Sequence, residues 1–584
     1  MITDSFPGNL TRRFFSLTPR TQTLLLLGIA AVTIFIGLGL RSPWPADEPR
    51  FAEAAREMVD SGQWLIPMRG GEFYPDKPPV FMWAIALFYW LTGSLKAAFL
   101  LPNALCGLLT FWLVLDLGRR LVDHRTALTA GFFLLLAPQF LIQAKSAQID
   151  GMLACWVTLA CYGLLRHFFE RPNWGWYFAS WGSMGLGIIT KGVGFLPLFM
   201  MAPIVLLALR DRERFREALK WRCLLGPLVM LAAAATWVVP MALYVDSLGT
   251  EYALNYRDNI LFKQTGERYA DSWGHILPWH YFISNAIPSL WFPLPLVLIA
   301  YWRPAWQSLR ENRVVFTLLV WIALVILFFS VSPGKRGVYM LPALPMFALA
   351  LAIIVQGKSG ARWLGPVLTG IHGLLAIALV TLGIMAWADH PTLVDKIGDY
   401  SRNPDHLHQL GTLILVTGLC WVGTLLLLPR FHALARLFIA WTLTWLIYST
   451  WGYVLAEPFR TPESVLRSVA AALPTGSQLG LINFSEQFIL FSPLDVTHFS
   501  HSTSINEQER NAWRWMSEGS NRYLLVEKDL PLACFQKNGA TDAGVAHRET
   551  WVLLAQEQQL RRCPAPEKFQ SFFTPRPGRW LDQN

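Results

Sequence analysis

The sequence predicts an all-α polytopic membrane domain followed by a small α/β domain, and three observations carry that prediction. Of 584 residues, 53% are hydrophobic and only 15% charged, with 37 Phe and 27 Trp, a composition far more apolar and aromatic than a soluble domain needs. Apolar runs of roughly 20 residues, the length that crosses about 30 Å of hydrocarbon, recur from Thr21 to Trp451. Beyond about Ala456 the chain turns polar, which divides it into a membrane domain over 1–455 and a soluble domain over 456–584.

The first apolar run, 22–40, follows Arg12, Arg13 and Arg20 and exceeds the core of a cleaved secretory signal, so it reads as a signal anchor with a cytoplasmic N-terminus. Basic clusters at Arg119-Arg120, Arg166-His167, 210–222, 303–313, 358–362 and 430–436 mark the cytoplasmic side by the positive-inside rule. Pairs of runs lie between clusters: 127–143 with 151–165, 174–190 with 193–209, 223–245 with 286–300, 314–331 with 339–355, and 364–388 with 411–428. A last unpaired run, 437–451, then puts the C-terminal domain outside. Parity allows one crossing between residue 40 and Arg119, yet two runs lie there, 79–93 and 97–117. The shorter begins with Pro-Pro and reads as an interfacial or re-entrant helix on the outer surface, which leaves about thirteen spans.

A net charge of +10 is spread over the cytoplasmic loops, so membrane anchoring explains it and nucleic acid is not an expected partner. The seven cysteines have no metal-ligand spacing; Cys106, Cys155, Cys161, Cys223 and Cys420 fall in apolar runs, whereas Cys534 and Cys563 share the outer domain and can pair where the compartment is oxidising. In that domain Thr461-Pro462 opens a helix to about Leu473, 478–484, 523–526 and 551–555 read as strands, and 507–516 as a helix. It holds no nucleotide-binding glycine pattern.

Chemistry is expected in the outer loops. The first holds Asp47, Glu48, Arg50, Tyr74, Asp76 and Lys77; the second Lys145 and Asp150; the long loop Arg257, Asp258, Lys263, Glu267, Arg268, His275 and His280; a later one Lys335, Arg336 and Tyr339. A single loop charge is ordinarily just solvated. Cations on the outer face, however, run against the positive-inside bias and need a separate cause, which an anionic phosphate ligand near the membrane supplies.

Four segments carry a resemblance. Pro45-Ala46-Asp47-Glu48-Pro49-Arg50-Phe51-Ala52-Glu53, Tyr74-Pro75-Asp76-Lys77-Pro78-Pro79, Ser332-Pro333-Gly334-Lys335 and Tyr339-Met340-Leu341-Pro342 resemble, in order, motifs of the polyprenyl-phosphate-sugar-dependent glycosyltransferases that include protein O-mannosyltransferases. Within that family the chain is most similar, from about Leu40 to Pro345, to bacterial lipid A aminoarabinose transferases. Asp76 departs from the usual Glu, and Pro75 and Pro49 stiffen the loop.

The resemblance implies a GT-C-type fold in a bacterial inner membrane, with site and C-terminal domain periplasmic. It implies an inverting transfer of a sugar, most simply 4-amino-4-deoxy-L-arabinose, from undecaprenyl phosphate to a phosphate of lipid A. Such an enzyme must hold the donor phosphate, align the acceptor and stabilise an oxocarbenium-like transition state. Lys77, Arg50, Lys263, Arg268, Lys335 and Arg336 are the expected phosphate ligands. Asp47 is expected beside the reacting sugar carbon with Asp150 in support, and Tyr74, Glu48 and Tyr339 in the sugar and acceptor pocket. No cofactor is required, although Asp76 and His275 form a carboxylate–imidazole pair able to hold zinc or another divalent ion. The alternatives are hexosyl transfer to protein or glycan, and a lipid or solute transporter. Transporters place ionisable residues near the bilayer midplane, whereas Asp116 is nearly the only acid within an apolar run here.

Overall fold

The computed structural model describes Phe14 and residues 16–267, 276–400 and 403–577. Among them, eight helices are long and apolar enough to cross a membrane, or ten if each of two bent pairs is one span. The bends, 73° between His124–Leu136 and Pro138–Ala144 and 108° between Phe282–Leu290 and Leu294–Ala300, fall at Pro138 and just before Leu294-Pro295, where prolines interrupt the backbone ladder. The other three expected spans fall short. The first run is helical only over Pro19–Phe35, the 193–209 run splits into a 3-10 turn at Leu196–Met200 and a helix at Met201–Arg210, and Trp174–Lys191 is diluted by Gly and Ser. The 79–93 run forms Val80–Thr92, 13 residues or about 20 Å, too short to cross. Gly93 ends it at φ 70°, a left-handed conformation that glycine adopts freely.

The polar C-terminal stretch folds around a six-stranded mixed sheet. Its strands are β3 Gln478–Leu481, β4 Val496–His498, β5 Arg522–Glu527, β6 Thr541–Ala546, β7 Glu549–Leu554 and β8 Phe572–Thr574, in the order β6-β7-β5-β3-β4-β8. β3 pairs in parallel with β4 and β5, and the outer strands add antiparallel edges. Helices Glu463–Ala472 and Ile505–Ser517 and strands β3, β5 and β7 stand close to where the sequence predicts them. Cys534 and Cys563 are bonded, with their Cα atoms 5.2 Å apart.

What positions the site is the packing of the first outer loop. It contributes the Glu48–Ser61 helix and a hairpin of β1, Met68–Arg69, and β2, Glu72–Phe73. Gly70 and Gly71 turn that hairpin at φ 64° and 80°, the positive values a two-residue connection of this kind demands. Phe51, Ala52, Ala55 and Tyr74 then share one buried core with Phe81 and Ile85 of Val80–Thr92 and with Leu479, Phe488 and Ile489 of the sheet domain. Loop, surface helix and soluble domain therefore fold as one block above the spanning helices.

Candidate active site

Contacts tie together the outer ends of four segments. Asp47 immediately precedes the Glu48–Ser61 helix, the position where a short acidic side chain ordinarily caps, but its carboxylate bonds no first-turn N–H. It faces Arg336 instead, with Oδ2 and Nη2 3.3 Å apart, and the two side chains are 22% and 37% exposed. Asp150, in the first turn of Ile149–Leu165, is buried and ion-paired with Lys191, the last residue of Trp174–Lys191. Lys191 Nζ lies 5.0 Å from the Tyr339 ring centre, and both Arg336 and Asp47 act on it electrostatically. The helix ends favour this arrangement, because partial positive charge gathers at the N-termini beneath the two acids and partial negative charge at the C-terminus beneath the lysine.

One turn along from Asp47, Arg50 enters a second cluster. Its Nε donates to Glu486 Oε1 at 2.9 Å, and Arg69 Nη1 donates to the same oxygen at 2.9 Å. The two guanidinium carbons stand 6.0 and 5.3 Å from the centre of the Tyr74 ring. Burial raises the Glu486 pKa, yet Arg50 and Arg69 outweigh it and hold the carboxyl below its ordinary range. Burial, with the Asp76 carboxylate adding to it, pushes the Tyr74 hydroxyl well up, so it remains a neutral donor. Lys77, half-buried, donates to the Asp76 carbonyl at 3.0 Å.

The structure moves three expected site residues elsewhere. Glu48 points away from its neighbour Asp47 and forms a two-point ion pair with Arg41, accepting in addition from Trp44 N–H and Ala147 N–H at 2.9 Å each. All its acceptor sites are occupied by protein. Lys335 is 3% exposed, and its ammonium donates to the carbonyls of Ser332, Leu277 and Pro333 at 2.5, 3.0 and 3.4 Å, so it braces its own loop. Tyr74 is 1% exposed and packs in the loop core, where it supports Arg50 and Arg69. Tyr339 lies with its ring centre 5.0 Å from Lys191 Nζ and its ring tilted against Phe329, centroids 5.2 Å apart. Lys263 is half-buried on the Asn259–Glu267 helix, while Arg268 and His275 lie outside the described residues.

Three partners escape a reading of the sequence. Lys191 carried a legible signal, a lone cation at the outer end of an apolar run. Arg69 and Glu486 carried none, since their meeting depends on the sheet domain folding onto the hairpin.

Chemically, the arrangement offers a part-exposed carboxylate at Asp47 paired with Arg336 and a buried one at Asp150 paired with Lys191, with Arg50 one helical turn from Asp47. That is a site for an electrophilic carbon bonded to an anionic leaving group.

Comparison with known proteins fits this geometry. The family model for dolichyl-phosphate-mannose-protein mannosyltransferases matches residues 76–239. An undecaprenyl phosphate-α-4-amino-4-deoxy-L-arabinose arabinosyl transferase of Pectobacterium atrosepticum is 30% identical over 387 residues, covering 63% of this chain and 66% of the relative. A second of the same name, from Sodalis glossinidius, is 30% identical over 427 residues, covering 68% and 71%. The crystal structure of ArnT from Cupriavidus metallidurans bound to undecaprenyl phosphate, 20% identical, superposes with a TM-score of 0.69 over 92% of this chain and 99% of that one, and so has the same fold. From these relatives and this fold, the chain belongs to the family of undecaprenyl phosphate-α-4-amino-4-deoxy-L-arabinose arabinosyl transferases, multi-pass membrane glycosyltransferases.

Proposed function

We propose that the protein moves 4-amino-4-deoxy-L-arabinose from undecaprenyl phosphate to a phosphate of lipid A. We place the reaction at the periplasmic face of a bacterial inner membrane, with the N-terminus cytoplasmic and the C-terminal domain periplasmic. The observation that carries the reading is the interleaving of Asp47 and Asp150 with Arg336 and Lys191 at the outer helix ends. An acceptor phosphate oxygen attacks the anomeric carbon as the bond from that carbon to the undecaprenyl phosphate oxygen breaks, and the leaving phosphate keeps the electron pair. Arg336 and Lys191, with Lys77 and Arg50, hold the charge that develops there. Asp47, freed from Arg336 as that cation turns to phosphate, steadies positive charge on the sugar ring.

The choice of an ionised acceptor suits this site. Both carboxylates are engaged with cations, and a phosphate nucleophile needs no proton removed, so the step asks neither of them to act as a base. An apolar cavity of about 380 Å³, lined by Leu136, Pro138, Phe292, Leu375, Trp421 and Trp441, lies where both bent helices break and suits part of a polyprenyl tail. The reading assigns no metal to the reaction itself.

Mass spectrometry of lipid A from cells carrying the wild-type protein, Asp47→Ala, or neither tests it. A mass increment of aminoarabinose that requires both the protein and Asp47 is the expected result. Unmodified lipid A in all three, with protein expressed and donor present, overturns the acceptor and turns the search to proteins and glycans.

A further inference from the structure

Where the β1–β2 hairpin meets the sheet domain, a carboxylate and two imidazoles gather. Glu72 of β2 reaches the segment that follows β4. Its Oε1 accepts from Ser500 Oγ at 2.7 Å and Ser502 Oγ at 3.0 Å, and its Oε2 from His501 N–H at 2.7 Å. A carboxylate has about four lone-pair sites, so one is left. His498, fully buried, donates Nε2–H to the Gly70 carbonyl at 2.7 Å. A neutral imidazole that donates from Nε2 presents a lone pair at Nδ1, and this Nδ1 is buried without a hydrogen-bond partner, as is Nε2 of His501. One ligand atom from each of Glu72, His498 and His501 lies within 4.8 Å of the other two.

Polar atoms buried without partners are rare, and two on neighbouring imidazoles beside a carboxylate have a simple common explanation. We infer that Glu72, His498 Nδ1 and His501 Nε2 bind a divalent cation of the zinc type, fastening the hairpin of the first outer loop to the soluble domain. Two imidazoles and a carboxylate are a donor set that zinc accepts, with the fourth position left for water. The surroundings are those of a prepared site. The Gly70 carbonyl fixes the tautomer and plane of His498, and the two serines fix the carboxylate, as outer partners of metal ligands do. Gly70 itself must be glycine, since a Cβ there would stand 2.6 Å from His498 Nε2. Arg69 and Arg50, the cations within electrostatic reach of the rings, share the single carboxylate of Glu486, and the Glu72 and Glu53 carboxylates act on His498 in the opposite sense. His501 is half-buried and gives the ion a way in. Among the described residues the cluster takes no ligand from Asp76, and it involves neither the donor nor the acceptor.

The test uses the full-length protein in detergent, stripped with a chelator, reloaded with zinc ion alone and freed of excess. Bound metal is measured by plasma mass spectrometry, and a cobalt-loaded sample is read for the visible absorption of a four-coordinate site. The wild type is expected to retain one equivalent that His501→Ala and Glu72→Gln lose, together with the cobalt band, while Asp76→Asn/His275→Ala keeps both. Zinc should also raise the thermal midpoint of the stripped wild type and not that of His501→Ala. Should one single variant fail to fold, the other gives the comparison. A wild type that takes up no zinc, or single variants that retain as much as the wild type, overturns the site.

Discussion

Asp47 and Glu48 are adjacent carboxylates at the head of one helix, and they live under opposite conditions. Glu48 sits in a closed knot, its oxygens shared among Arg41, Trp44 N–H and Ala147 N–H, while Lys145 beside it donates to the carbonyls of Thr33, Ile34 and Ile36 and caps the end of the first helix. Among the described residues Asp47 has one ion pair, at 3.3 Å, with a partner more than a third exposed. Composition is nearly the same in the two regions. What separates a scaffold charge from a working one here is hydrogen-bonding capacity left unused, and that quantity can be tested residue by residue.

The largest effect should come from the open region. Asp47→Asn keeps the shape and removes the charge, so turnover should fall by about 100- to 1,000-fold while the thermal midpoint stays near that of the wild type. Loss of activity with an equal loss of folded protein would place Asp47 in the scaffold after all. Glu48→Ala should do the reverse, because it leaves the buried Arg41 guanidinium uncompensated and costs about 3–5 kcal/mol of stability. The check is thermal unfolding and yield of monodisperse protein, together with turnover per folded molecule, which should hold within a few-fold.

How much of this was legible in the sequence follows the same division. Period and length announced the spanning helices, since an apolar run has one stable use in hydrocarbon, and the cations in the loops expected outside stood out against a bias that disfavours them there. Strands β3, β5 and β7 were legible because their apolar residues run continuously, whereas β4 and β8 span three residues each and β6 is broken by a bulge at Asp542/Gly544. The direction of a side chain was not legible. Glu48 and Lys335 have the residue types and spacing of ligands, yet a one-residue step around a helix or tight turn aims them at backbone groups 99 positions away in the first case and two or three in the second. The Glu486 contacts, 436 and 417 positions from Arg50 and Arg69, lay beyond any local signal.

Arg336 and Lys335 repeat the comparison one loop later, with a smaller effect. Arg336→Gln removes an exposed cation whose charge-assisted bonds to phosphate are worth about 1.5–3 kcal/mol, so the KM for the lipid donor should rise by roughly 10- to 100-fold. Lys335→Gln, whose ammonium is occupied by three carbonyls, should leave KM within about twofold and lower the thermal midpoint instead. Steady-state kinetics over a range of donor concentrations separates the two. Equal rises in KM would mean that the Ser332–Arg336 turn opens when donor binds.

Glu486 stands between the two conditions and should give the smallest change. Its carboxylate is buried, like that of Glu48, but the cations it pairs with keep 30% and 15% of their side-chain surface in water and are not stranded when it is lost. Glu486→Gln should therefore cost only about 1–2 kcal/mol at neutral pH. Its pKa in the folded protein lies below the ordinary 4.5, so the folded state favours the ionised form. The stability it contributes is present above about pH 4.5 and disappears as pH falls through the lower, folded value. Thermal midpoints of wild type and Glu486→Gln should differ at pH 7 and converge below pH 4.5. A difference that persists undiminished into acid would show that Glu486 acts through packing, and the polar tie between the sheet domain and the first loop would then rest on the hydrogen bonds of Glu72 with Ser500 and Ser502 and of His498 with Gly70.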